Sequence, residues 1–235
     1  MRYDNIVKGI FKDRPNRFIA NVEIDGVLEA VHVKNTGRCK ELLFPDSVVY
    51  LQKSDKEERK TKYDLISVIK KTNRGDILVN MDSQIVNDVA YEWLNSCGMF
   101  SKDAEIIREY TVTHNGIKSR FDIFVLDTDR RAFIEVKGVT LENDGIASFP
   151  DAPTLRGIKH LNHLALLKGE GYEAYVLFVI QMKGVNSFTP NKITHMEFAN
   201  ALRSAKECGV NILCYDCIVD IDSIRIDREV KYFLD

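Results

Sequence analysis

Apolar and polar residues alternate along Phe18-Ile19-Ala20-Asn21-Val22-Glu23-Ile24. Asp25-Gly26 follows, and a second alternating run returns over Val27-Leu28-Glu29-Ala30-Val31-His32-Val33. A period of two sends every other side chain to the same face of a strand, and Asp-Gly suits a two-residue hairpin turn, so a β-hairpin is expected. Further strands are expected over 47–52 and 63–70, on either side of the charged stretch 54–62. Five or so closely spaced strands within the first 75 residues suggest a small barrel. An OB-fold is the expected form, and an SH3-like barrel would read much the same. The first domain is set at 1–80.

The period then changes. Ile85, Val86, Val89, Ala90, Trp93 and Leu94 fall on one helical face within 83–97, and Gly98 supplies a stop. This helix opens a second domain, 81–235. Strand-like segments follow at 110–113, 120–126 and 132–136, with turns at Asn115-Gly116 and 127–131. A helix over 153–169, a buried-looking strand over 174–180, a helix over 195–208 and a final strand over 212–219 complete the pattern. A β-meander, a crossover helix and further strands predict a mixed α/β sheet.

Composition narrows the function classes. The chain has 235 residues, 29% charged and 45% hydrophobic, the profile of a soluble globular protein. Its longest apolar run, 174–180, is far short of the roughly 18–20 residues that span a bilayer. The first residues hold no apolar stretch suited to secretion, and five scattered cysteines suit reduced thiols, so a cytoplasmic location is expected. The net charge is −2, but the first 80 residues carry 16 Lys and Arg against 12 Asp and Glu, and the remainder 17 against 23. A basic front and an acidic back suit a polyanion-binding module joined to a domain that gathers carboxylates around cations.

Candidate chemistry lies in the second domain. Asp122 sits in Ser119-Arg120-Phe121-Asp122-Ile123-Phe124-Val125, and thirteen positions later Glu135 sits in Phe133-Ile134-Glu135-Val136-Lys137-Gly138. On adjacent antiparallel strands joined by a short turn, the two carboxylates can meet on one face. Glu135 and Lys137 are two apart and project to the same side. Magnesium takes hard oxygen ligands and keeps several waters, so two carboxylates and a substrate phosphate suffice. The charges interrupt strands whose neighbours look buried, where a carboxylate without a cation is costly. Asp, a loop, then Glu-x-Lys is the pattern of the PD-(D/E)xK nuclease-like fold, and Glu109 is the candidate for the acidic residue that precedes it. Asp122 and Glu135 are therefore the expected ligands of Mg2+ (or Mn2+), with Lys137 and Glu109 as catalytic candidates.

A second signature runs from Phe149-Pro150-Asp151-Ala152-Pro153-Thr154 through Leu155-Arg156-Gly157-Ile158-Lys159-His160-Leu161. Asp151 is the expected N-cap, and the helix amides with Arg156 and Lys159 would form a phosphate cradle. The alternative is an ordinary capped helix with a basic outer face, while His160 joins the expected DNA contacts. The chain resembles the sugar fermentation stimulation protein A family. The resemblance is carried by Arg14-x-x-Arg17-Phe18-x-Ala20, by His32-x-x-Asn35-Thr36-Gly37-Arg38 and by Ser119-Arg120-Phe121-Asp122. Ile134-Glu135-Val136-Lys137-x-Val139-Thr140 and the 149–161 block complete it. It implies an OB-like first domain, a PD-(D/E)xK-like second domain and DNA binding, with a link to regulation of sugar-utilisation genes. Arg14, Arg17, Asn35, Thr36 and Arg38 are then the barrel's expected DNA contacts, with Phe11, Phe18 and Phe44 near for stacking.

Other chemistries lack support. Cys214-x-x-Cys217 lies in a strand-like run with no second pair, and no nucleophile elbow, phosphate loop or dinucleotide fingerprint is present. His160 and His163 read as one helix face near the phosphates. The expected function is DNA binding with metal-dependent phosphodiester cleavage, and its rival is a non-catalytic DNA-binding regulator.

Overall fold

A computed structural model describes every residue except 36, 38 and 57. The first unit is built from β1 (Ile6–Asn16), β2 (Ile19–Ile24), β3 (Val27–Val33), β4 (Val48–Lys53), β5 (Tyr63–Thr72) and β6 (Gly75–Asn80). The β2–β3 hairpin turns at Asp25-Gly26, where φ is 50° and 80°, the positive pair that a tight hairpin requires. Alternation decides the interior: Ala20, Val22, Val31, Val33, Val49 and Leu51 are buried. Sheet order β3-β2-β1-β4-β5, with β3 pairing β5 in parallel at His32↔Asp64, closes the sheet into the barrel of an OB domain. Asp64 pins that closure, accepting from His32 Nδ1 at 3.0 Å and from Arg59 at 2.6 Å. β1 was absent from the sequence expectation because Lys8, Lys12, Asp13 and Arg14 dilute its alternation.

The second unit begins with α1 (Val86–Leu94). The meander β7 (Glu105–His114), β8 (Ile117–Asp127) and β9 (Arg130–Val139) follows, then β10 (Leu141–Asn143) and β11 (Ile146–Phe149). Next come α2 (Leu155–Gly169), β12 (Glu173–Ile180), β13 (Ser187–Pro190), α3 (Lys192–Glu207), β14 (Asn211–Asp220) and β15 (Ser223–Glu229). The main sheet runs β15-β14-β12-β9-β8-β7, parallel across β9, β12 and β14 and antiparallel outside them. α1 packs on one face over Ile123, Ile134, Val136 and Leu177. α2 and α3 cover the other over Phe121, Phe133 and Phe178. No helix among the described residues is long and apolar enough to cross a membrane.

Two sequence expectations are corrected. The N-cap of α2 is Thr154, whose side chain accepts from Gly157 N, and Asp151 lies three residues outside the helix. The strand after α3 is not the last, because β15 folds back on β14. Its charged residues Arg225, Asp227, Arg228 and Glu229 hide it from a hydrophobicity reading. The small sheet β10-β11-β13 went unread because its strands have only three or four residues.

The two units are stitched together. Met1 to Tyr3 pack on the second unit, with Tyr3 N donating to Asp222 O at 2.8 Å. Gln181 Nε2 donates to Asn80 Oδ1 and to Asp82 O, both at 3.0 Å. Glu142 accepts from Lys70 Nζ at 2.6 Å and from Arg74 Nη2 at 3.3 Å.

Candidate functional site

The β8–β9 ladder runs from Asp127↔Arg130 to Ile123↔Ile134. One step further along that register Asp122 stands opposite Glu135. The two strands part there: the Val136 N–H donates to Asp122 Oδ2 at 2.8 Å, and β9 goes on beside β12 to Val139. Asn87 of α1 donates to the other oxygen, Oδ1, at 3.0 Å. Asp122 is thus held in the fork between strands, beneath the first turn of α1. Burial pushes its carboxyl up, and the charge of Glu135 pushes it further.

Glu135 is 2% exposed. Its Oε1 accepts from Lys137 Nζ and from His160 Nδ1, the latter at 2.5 Å. Burial alone would raise this carboxyl, but the Lys137 ammonium and the His160 hydrogen bond outweigh it and hold Glu135 below the ordinary glutamate range. Its second oxygen, Oε2, is buried with no hydrogen-bond partner among the described residues. An unsatisfied buried acceptor costs about 1–3 kcal/mol, more when charged. Among the described residues no set of three or more His, Cys, Asp or Glu is arranged as a complete ligand cage. The donors at hand are two carboxylates, an all-oxygen pair that fits a hard divalent cation completed by waters and a phosphate oxygen.

Placement of the other candidates varies. Glu109 lies in β7 with φ of 54°, its side chain 62% exposed and 3.6 Å from Arg120 Nη1, so it is not gathered with Glu135. His160 is 4% exposed and spent on Glu135, and His163 is fully buried against Ser119 Oγ at 2.7 Å. Neither forms an outer phosphate-facing surface. The helix period contained this signal, since His160, Leu161, Leu164 and Leu167 make one buried stripe. Arg156 and Lys159 are exposed at the start of α2, with Lys159 Nζ donating to Lys118 O at 2.8 Å.

On the barrel, Arg14 donates to the carbonyls of Gly37 at 3.0 Å, Asn35 at 2.7 Å and Arg17 at 2.6 Å, so its guanidinium shapes the loop. Asn35 is buried and accepts from Gly37 N at 2.8 Å. Arg17 is exposed over the Phe18 ring, 5.9 Å from its centroid. Phe18 and Phe44 are exposed and Phe11 is core. Thr36 and Arg38 lie outside the described residues.

Residues 13–81 match the family described as the SfsA N-terminal OB domain. Residues 84–223 match that described as the Sugar fermentation stimulation protein RE domain. The chain is 56% identical over 234 residues to the sugar fermentation stimulation protein homolog of Clostridium beijerinckii, covering all of both chains. It is 53% identical over 231 residues to the homolog of Ruminiclostridium cellulolyticum, covering 98% of this chain and 99% of that one. Among solved structures, that of Pyrococcus furiosus SfsA in complex with Ca2+ superposes with a TM-score of 0.81 at 26% identity, over 99% of this chain and 98% of the other. With both units matched in order and relatives matched along their whole length, the chain belongs to the sugar fermentation stimulation protein family.

Proposed function

We propose that the protein is a cytoplasmic DNA-binding phosphodiesterase whose metal centre, of the PD-(D/E)xK type, is formed by Asp122 and Glu135 with Lys137 beside them. The observation that carries this reading is the buried carboxylate pair in the strand fork, with Glu135 Oε2 left without a hydrogen-bond partner among the described residues. The Pyrococcus furiosus relative was solved in complex with Ca2+, so a family member takes up a divalent cation. Mg2+ or Mn2+ held at this pair would polarise a phosphodiester and lower the pKa of a bound water.

The chain's own residues set the stage. Val136 N–H and Asn87 fix the Asp122 carboxylate. His160 is a positioning residue that fixes the Glu135 rotamer from α2. Lys137, at 17% side-chain exposure, keeps its ammonium at the mouth of the fork, where it can orient a nucleophile or offset charge on a phosphate. Arg17 with Phe18 on the barrel, and Arg156 at the head of α2, are the exposed cations that grip the backbone.

A second reading, a non-catalytic DNA-binding regulator of sugar-utilisation genes, draws on one observation: Lys137 and His160 already neutralise Glu135 without a cation. Incubating the pure protein with plasmid and single-stranded DNA, with Mg2+, Mn2+ or chelator, separates the two. For the enzyme, Glu135→Gln and Lys137→Ala each abolish metal-dependent cleavage and keep most of the DNA affinity. Wild type that cuts no better than its chelated control, or cutting that persists equally in both variants, sinks the enzyme and leaves the regulator.

A further inference from the structure

The signature segments around 35–37 and 149–151 meet between the barrel and the second unit. Gly37 approaches Asp151 so closely that a Cβ on it would lie 2.0 Å from Asp151 Oδ2. Beside this contact is a cleft of about 170 Å³. It lies at the carboxyl ends of the parallel strands β9 and β12, where Gly138, Thr140 and Gln181 line it, and it is closed by Ser148, Asp151 and the barrel-side Asn35. Ligands of α/β sheets collect at this end of the strands and at domain junctions.

Three features select the occupant. Thr140, Ser148 and Asp151 line the cleft, and their side chains make no hydrogen bond or ion pair among the described residues. A phosphate would be repelled by the Asp151 carboxylate, so the occupant is an uncharged group with hydrogen-bond donors. The volume is below the roughly 300 Å³ of sites for drug-sized ligands and suits one heterocycle. Thr140 lies five residues beyond Glu135, about 16 Å along the chain, the scale of two or three nucleotides from the metal pair.

We propose that this cleft receives one unpaired base of a nucleic-acid strand whose backbone runs past Asp122, Glu135 and Lys137, with Asp151 accepting from the base's pairing edge. The inference rests on the nucleic-acid reading above and gives it a substrate class. In a duplex the pairing edge is engaged and stacked, so the substrate is single-stranded or locally opened. An ionised carboxylate only accepts. Guanine presents two adjacent donors, N1–H and N2–H, whereas thymine flanks its one N–H with two carbonyls. The cleft therefore favours guanine over thymine.

The test is equilibrium binding by fluorescence anisotropy, with Ca2+ present and without need of cleavage. The probes are oligo(dT) of about 12 nucleotides, the same strand with one central dG, and its duplex. The dG strand should bind about tenfold tighter than oligo(dT), the discrimination of one good bidentate contact, and the duplex should bind more weakly than either. Asp151→Asn should erase the dG preference without moving the melting temperature, because Asp151 makes no hydrogen bond among the described residues. Thr140→Val, which keeps shape and removes a hydroxyl, should weaken dG binding several-fold. Equal binding of dG and dT strands, a preference that survives both variants, or a duplex bound as tightly as the single strand would overturn the inference. Metal-dependent cleavage without base or strand preference removes this inference and leaves the phosphodiesterase. Base-dependent binding without cleavage does the reverse.

Discussion

Arg14 and Arg17 sit three positions apart in one basic segment, yet they have different work. Arg14 donates to the backbone carbonyls of Arg17, Asn35 and Gly37, while Arg17 lies in solvent over Phe18. Hydrogen bonds from a charged donor contribute about 1.5–3 kcal/mol each, so Arg14→Ala should lower stability by about 2 kcal/mol or more, read by denaturant melts. Arg17→Ala should leave the melt unchanged and reduce the salt slope of DNA binding by about one. Equal effects of the two variants on both measurements would show this division to be wrong. Sequence alone could not separate them, because two of the carbonyls that occupy Arg14, those of Asn35 and Gly37, lie 21 and 23 positions away in the chain. The register that sets Asp122 opposite Glu135, two residues before Lys137, was legible for the opposite reason. Their relation depends on strand period and one short turn, both local. The i,i+3 histidine pair suggests one helix face near the phosphates, while the leucine stripe beside His160 turns that face inward.

At the scale of the element, β7 and β8 exchange faces at one step. Ile107 and Tyr110 line one core, as do Phe121 and Phe124, while Ile123 and Val125 line the other. Strict alternation would forbid this, and Glu109 absorbs it by taking φ of 54° between Arg108↔Ile123 and Tyr110↔Phe121. The swap frees Asp122 from the ladder and aims it into the fork. A non-glycine residue in left-handed backbone costs about 1–2 kcal/mol. Glu109→Gly should therefore raise stability by up to about 1 kcal/mol, and with Glu109 outside the carboxylate cluster it should leave cleavage within about twofold. A hundredfold loss of cleavage would place Glu109 in the site after all. The strands themselves were readable from their alternation. The break was not, because Phe121 and Ile123 are both apolar and the pattern looks unbroken while the faces change beneath it.

Across the whole molecule, the barrel and the second unit share one buried apolar cluster, reinforced by an ionic clamp. Glu142 of β10 has a side chain only 1% exposed and receives Lys70 and Arg74 from the barrel. Nothing in the sequence pairs these residues, which lie 68 and 72 positions apart. Burial alone would raise the Glu142 carboxyl, but Lys70, the Gly145 amide and Arg74 outweigh it and hold it below its ordinary value of 4.5. A carboxyl depressed by folding adds stability that is fully present above its unfolded pKa and is lost as pH falls through the folded one. The clamp should therefore hold at pH 7 and weaken progressively below about pH 4.5. Glu142→Gln keeps the shape and leaves Lys70 facing a neutral amide. Breaking one side of a buried pair costs about 3–5 kcal/mol, so the variant should unfold at much lower denaturant at pH 7. As the pH is lowered, the gap between wild type and variant should close, because wild-type Glu142 becomes neutral as well. If the gap stays constant from neutral to acid pH, the carboxylate charge is not what joins the two units. Because the proposed base cleft is walled by both units, the same loss should appear in oligonucleotide binding: Glu142→Gln should weaken the dG preference at neutral pH, although Glu142 does not line the cleft.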